Sequence, residues 1–279
     1  MENLKLFSGG IKLKTKENLH LPQPLEAFRD ILIPSLQPSS IIIPHNSTTS
    51  LTASKFAGCP YLPKKLLHPR DTDGNYMYLL AQINFTEGEF PSCFPSQGLL
   101  QIFISKNICQ PKQQVIELLW QQDYKIRYYP TLLPEDDLVN DFSYLETLDT
   151  FPIENEMGIL FLPNVEPVSA TDYRLEYYFK TPLSQYGIIS DDERTLEDIY
   201  YEKYLGANHK IGGYPYFIES DSRRNSEFLQ SYDTLLLQIV TNDNHGINYG
   251  DTGIIKFFIN HKQLMNLDFS NVYLHAEQY

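Results

Sequence analysis

Two short stretches carry residue types from which a ligand or metal site can be built. Asn242-Asp243-Asn244-His245-Gly246 crowds oxygen and nitrogen donors together, and Tyr249-Gly250-Asp251-Thr252-Gly253 sets an aspartate between glycines just before an apolar run. The first lacks calcium-loop spacing, which requires acids or amides at positions one, three and five, glycine at six and glutamate at twelve. It reads as a polar loop. In the second, Gly250 and Gly253 would let backbone approach a ligand, and Asp251 offers a carboxylate to a cation, an amine or an arginine. The same residues suit a turn with positive φ at the glycines and local N–H bonds to Asp251. Gly250, Asp251 and Gly253 are therefore candidate binding residues as well as turn residues.

Other chemistry finds little purchase. Histidines 20, 45, 68, 209, 245, 261 and 275 show no H-x-x-x-H, H-E-x-x-H or H-x-H pairing, so no metal is expected. Neither G-x-S-x-G nor a Gly-rich phosphate loop is present. Cys59 stands between Gly58 and Pro60, with no helix N-terminus to lower its pKa. With Cys93 and Cys109 it makes an odd, widely spaced set that fits neither a disulfide framework nor zinc. No cofactor is expected, and catalysis is the less favoured reading.

The elements that must position these residues come in two copies. Gly58-Cys59-Pro60-Tyr61 returns as Gly213-Tyr214-Pro215-Tyr216, Leu79 to Ile83 as Leu235 to Ile239, and Gly98 onward as Gly253 onward, at offsets of 155 or 156. The repeats span about 48–105 and 208–275 within one globular unit, 1–279. Each holds a stiff Gly-Pro-Tyr turn and two strands joined by a loop. Tyr61 and Tyr216 sit at equivalent places, either plugging the core or flanking a shared cleft. Gln82 and Gln238, each the long polar residue in an apolar strand, are placed to tie down the irregular turn or to touch a ligand.

Strands are expected at 41–43, 78–85, 99–104, 125–129, 158–162, 234–240, 253–259 and 267–275. Helical patterns appear at Pro24–Leu32, around Val115–Trp120 and at Asp136–Leu148, where Leu138, Phe142 and Leu145 recur at spacings of four and three. Ser190 and Glu193 form a capping-box pattern ahead of Leu196, Ile199, Tyr200 and Tyr204, with Gly206 as the stop, so a helix is expected over Asp191–Leu205. The fold class is α+β: mostly antiparallel sheet, built from two homologous β-rich repeats with a few covering helices.

The net charge of −13 argues against nucleic acid, which needs a basic footprint, and suits a basic protein partner. No apolar run approaches the ~18 residues of a membrane span, and Met1 to Leu6 lacks the pattern of a signal peptide. A cytoplasmic protein is expected, without a membrane partner.

The chain resembles the YwqG-like family of bacterial proteins. The resemblance rests on Ser54-Lys55-Phe56-Ala57-Gly58-Cys59-Pro60-Tyr61-Leu62-Pro63, Leu79 to Asn84, Leu235 to Ile239, Tyr249 to Gly253 and Leu267-Asp268-Phe269-Ser270. It covers the chain from about residue 48 to the C-terminus. The sequence departs where Ala57-Gly58 replaces a glycine pair, His68-Pro69 a Trp-Pro, and Tyr249 a common Trp. The family has no agreed activity, and the resemblance carries over no catalytic residues. It implies the architecture, a cytoplasmic bacterial setting and a lead towards immunity partners of bacterial toxins. The expected function is a non-enzymatic protein-binding or toxin-neutralising module. The alternative is an enzyme or small-molecule binder with a cleft between the repeats near Asp251.

Overall fold

A computed structural model describes residues 21–110 and 114–279, so the reading of Met1 to Leu6 lies outside the described residues. Eleven strands make one sheet: β1 (Gln37–His45), β2 (Lys55–Phe56), β3 (Tyr78–Asn84), β4 (Leu99–Ile104), β5 (Val115–Leu118), β6 (Tyr124–Tyr129), β7 (Met157–Glu166), β8 (Lys210–Gly212), β9 (Thr234–Val240), β10 (Ile254–Ile259) and β11 (Val272–Glu277). Their order is β5-β11-β10-β9-β8-β1-β7-β2-β3-β4-β6, with antiparallel ladders. β1 and β7 lie at the centre; the first wing, β2-β3-β4-β6, runs out from β7, and the second wing, β8-β9-β10-β11 with β5 at its edge, runs out from β1.

The wings curl towards each other into a half-barrel. Tyr124 of β6 donates its hydroxyl proton to the carbonyl of Val272 in β11, and its ring meets Phe257 of β10 at 5.8 Å. β5 and β6 lie at opposite edges of the sheet, yet only residues 119–123 separate them in the chain. A linker that short spans at most about 20 Å, so the chain itself ties one edge to the other. The enclosed core takes Leu100, Ile102 and Ile126 from one wing and Leu237, Phe257 and Leu274 from the other.

Short helices cover the outside. They are α1 (Arg29–Leu32), α2 (Lys106–Cys109), α3 (Leu175–Tyr178), α4 (Leu196–Tyr204), α5 (Glu227–Gln230) and α6 (His261–Met265). The expected Pro24–Leu32 helix is largely a 3-10 segment, Gln23–Phe28, running into α1. α4 is shorter than expected. Ser190 and Glu193 belong to a preceding turn, with Glu193 at φ 61°, and the capping box is instead Thr195 with Asp198.

Two helical expectations fail. Residues 115–118 are β5, because the edge of β11 offers them a ladder from Leu274 to Glu277. In 136–148 only a 3-10 turn forms, Glu135–Asp137. Leu138 bridges Pro63 and packs with Tyr61 and Leu99, so helical spacing here reflects separate anchor points on a laid-down loop.

Candidate functional site

Each Gly-Pro-Tyr turn is held by a buried glutamine. Gln82 Oε1 accepts from the Tyr61 N–H at 2.9 Å, and its Nε2 donates to the carbonyls of Leu51 and Ala53 at 2.9 and 2.8 Å. Gln238 Oε1 accepts from the Tyr216 N–H at 2.8 Å, and its Nε2 donates to the carbonyls of Gly206 and Asn208, both at 2.9 Å. On the neighbouring strand, Gln101 donates to the Tyr61 carbonyl at 2.8 Å and Lys256 to that of Tyr216 at 2.9 Å. Both glutamines are fully buried, and both amide protons of each are committed to backbone.

A second tie per turn escaped sequence reasoning. Glu156, just before β7, lies 3.4 Å from buried Lys55 and accepts from the Cys59 N–H at 3.2 Å. Glu166, at the far end of β7, lies 2.7 Å from buried Lys210 and accepts from the Tyr214 N–H at 2.9 Å. The only sequence signal is a lysine three residues ahead of each glycine, Lys55 before Gly58 and Lys210 before Gly213. Burial pulls the Lys55 pKa down, partly opposed by Glu156.

The candidate residues do not converge. Tyr61 is buried against Tyr129, ring centroids 4.9 Å apart, and its hydroxyl accepts from the Leu133 N–H. Tyr216 is half-buried and borders a hollow of about 430 Å³ together with Asp251, Gly253 and Tyr279. That hollow is lined solely by residues 207–279. Asp251 itself is exposed, Gly250 takes φ 64°, and the Gly253 N–H donates to Thr241 Oγ1 at 2.9 Å. The 242–246 stretch closes as a short turn, with Gly246 left-handed. Among the described residues no group of three or more His, Cys, Asp or Glu could hold a metal.

The second wing hides a charge network. Arg223 is fully buried between Asp172 and Asp221, at 3.0 and 2.7 Å, with its guanidinium 4.4 Å from the Phe258 ring. Arg174 forks onto Asp172 through Nε at 2.8 Å and Nη2 at 2.7 Å. Burial alone would raise the Asp172 pKa, but Arg174 and Arg223 outweigh it and hold the carboxyl well below the usual range. Lys256 pairs with Glu277, and burial lowers the ammonium pKa against the pull of Glu277. Asp172 and Asp221 come from distant loops and Glu277 from the end of β11, which no local motif announces.

A different charge pattern lies outside. From residue 128 to 173 the chain has no Lys or Arg. Within it Glu135, Asp136, Asp137, Asp141, Glu146, Asp149, Glu154 and Glu156 are all exposed. Of the eight, only Glu156 has an ion-pair partner among the described residues, Lys55. Backbone bonds fix this belt to both wings. Lys64 and Val139 N–H donate to Asp137 and Leu62 carbonyls at 2.8 Å, and Glu154 N–H to Gly246 at 2.9 Å.

A family model described as "Domain of unknown function (DUF1963)" matches residues 54–277. The chain belongs to the DUF1963 family. The DUF1963 match opens one residue before β2 and closes on the last residue of β11, so it takes in both wings, β7 and the acidic belt, but not β1. A comparison with curated proteins finds no match. No helix among the described residues of this DUF1963 protein is long and apolar enough to cross a membrane.

Proposed function

We propose that this protein is a non-enzymatic binding module that takes up a basic polypeptide along the belt 135–156. The observation that carries the reading is the row of eight exposed carboxylates, seven of them without an ion-pair partner among the described residues. Such a row repels itself, and a cationic partner would relieve that repulsion and be steered to it. Leu133, 43% exposed and two residues before Glu135, supplies apolar contact beside the acids.

The two wings descend, in this reading, from one duplicated unit. The matching glutamine ties and lysine–glutamate ties at offsets of 155 and 156 support it. The setting is the bacterial cytoplasm and the family the YwqG-like one, with neutralisation of a basic toxin as the service performed.

The test is capture of partners from host lysate at low and moderate salt, by wild type and by a triple variant Glu135→Lys, Asp136→Lys, Asp137→Lys. A basic protein held by wild type, released by salt and lost by the variant is the expected result. Equal capture by both baits would sink the reading.

A further inference from the structure

On the outer face of the first wing lies a pocket of about 500 Å³ between the loop at 62–70 and β6. Its charged lining is cationic: Arg70, Lys125 and Arg127, with no carboxylate. Lys125 and Arg127 stand two apart on β6 and so share a face, opposite to the buried Tyr124 and Ile126. The Arg70 guanidinium lies 3.7 Å over the Tyr76 ring. Arg127 Nη2 donates to the Leu67 carbonyl at 2.7 Å, while Nη1 is buried without a hydrogen-bond partner. None of the three cations has an ion-pair partner among the described residues, in a chain of net charge −13.

The matching place in the second wing shows what is missing. His68 Nε2 faces the Met77 carbonyl at 2.7 Å and its ring meets Phe103. Arg223 Nη1 faces the Tyr232 carbonyl at 3.4 Å and its guanidinium meets Phe258. Each of these residue pairs is offset by 155. In the second wing the buried cations are matched by Asp172, Asp221 and Glu277. In the first wing the cations face an open pocket, and the negative charge has to come from outside. His68 adds none of its own positive charge: with Nε2–H on Met77, its Nδ1 accepts from the Tyr144 hydroxyl at 3.1 Å. Burial, helped by Arg127 and Arg70, keeps it neutral.

We propose that this pocket binds a small organic phosphate, with the phosphate group between Lys125, Arg127 and Arg70 and the apolar body against Leu66 and Leu67. A dianion matches three cations better than a single carboxylate does, and guanidinium groups present forked donors to phosphate oxygens. The volume suits a ligand of small-metabolite size. The site adjoins the acidic belt but uses none of its carboxylates, and the phosphate titration tests it without reference to the belt.

The test is calorimetric titration of the full chain at fixed ionic strength with phenyl phosphate, inorganic phosphate and phenol. Phenyl phosphate is expected to bind saturably at one site, inorganic phosphate more weakly, and phenol not at all. Lys125 is exposed, so Lys125→Gln keeps the fold, and it should bind phenyl phosphate about tenfold more weakly. Lys262→Gln, on α6 and outside the pocket, should match wild type. No saturable binding of phenyl phosphate overturns the proposal. So does unchanged affinity in both Lys125→Gln and Arg70→Gln, or binding of phenol as strong as that of phenyl phosphate.

Discussion

Gly213 shows how one missing methyl group fixes a turn. It takes φ 69°, and a Cβ there would overlap the Glu166 carboxylate that holds Lys210 and the Tyr214 N–H. Gly213→Ala is expected to cost roughly 3 kcal/mol, about 1–2 from the left-handed backbone and the rest from the displaced tie. Gly58→Ala meets Glu156, which is exposed and can swing away, so it should cost about 1–2 kcal/mol. Urea midpoints at unchanged slope measure both, and equal losses would show that the buried tie adds nothing. His209 makes a second prediction at this scale. Its Nδ1 accepts from the Val240 N–H at 3.2 Å, and burial, with His245 adding to it, brings its pKa down to about 4. The unfolded chain takes up that proton near pH 6.5 and the folded one near 4, so stability falls as pH drops between these values. The fall is about 3 kcal/mol from this residue. His209→Asn keeps an acceptor without the titration and should flatten the slope over that range.

At the scale of elements, the Arg223 network joins the start of α3 to the turn before α5. Asp172→Asn leaves Arg223 and Arg174 short of a buried countercharge, and should cost about 3–5 kcal/mol at neutral pH. Because the Asp172 carboxyl is depressed in the fold, its contribution is present above the ordinary aspartate pKa and lost below about pH 4. The acid limb of a wild-type stability curve should therefore steepen below the window of His209, and in Asp172→Asn that second step should vanish.

The elements also differ in how legible they were. β4 and β9 match their expected bounds because apolar runs between turn residues leave little choice. Gln82 and Gln238 stood out as polar breaks in those runs, and their role at the turns follows from what an amide must do when buried. The helical reading of 115–120 failed because β11 supplied a neighbour that spacing within six residues cannot reveal. Ser190 failed as a cap because Thr195 with Asp198 offered the same chemistry five residues later, closer to the first buried leucine. The cationic pocket was invisible for a similar reason: Arg70 and Arg127 are brought together only by the fold.

For the whole molecule, the acidic belt and the cationic pocket lie next to each other, since Val139 and Tyr144 of the belt also line the pocket. The centre of the sheet has a further consequence, for how the protein is made. β1 is flanked by β7 and β8, and its nearer partners, those in β7, run from His45 with Gly158 to Gln37 with Glu166, 113 to 129 residues later. At about 5–20 residues per second, a ribosome takes roughly 6–26 s to supply them. Over that interval Ile41, Ile42 and Ile43 have no strand to pair with. The nascent chain must keep β1 from sticking to others until β7 has left the exit tunnel.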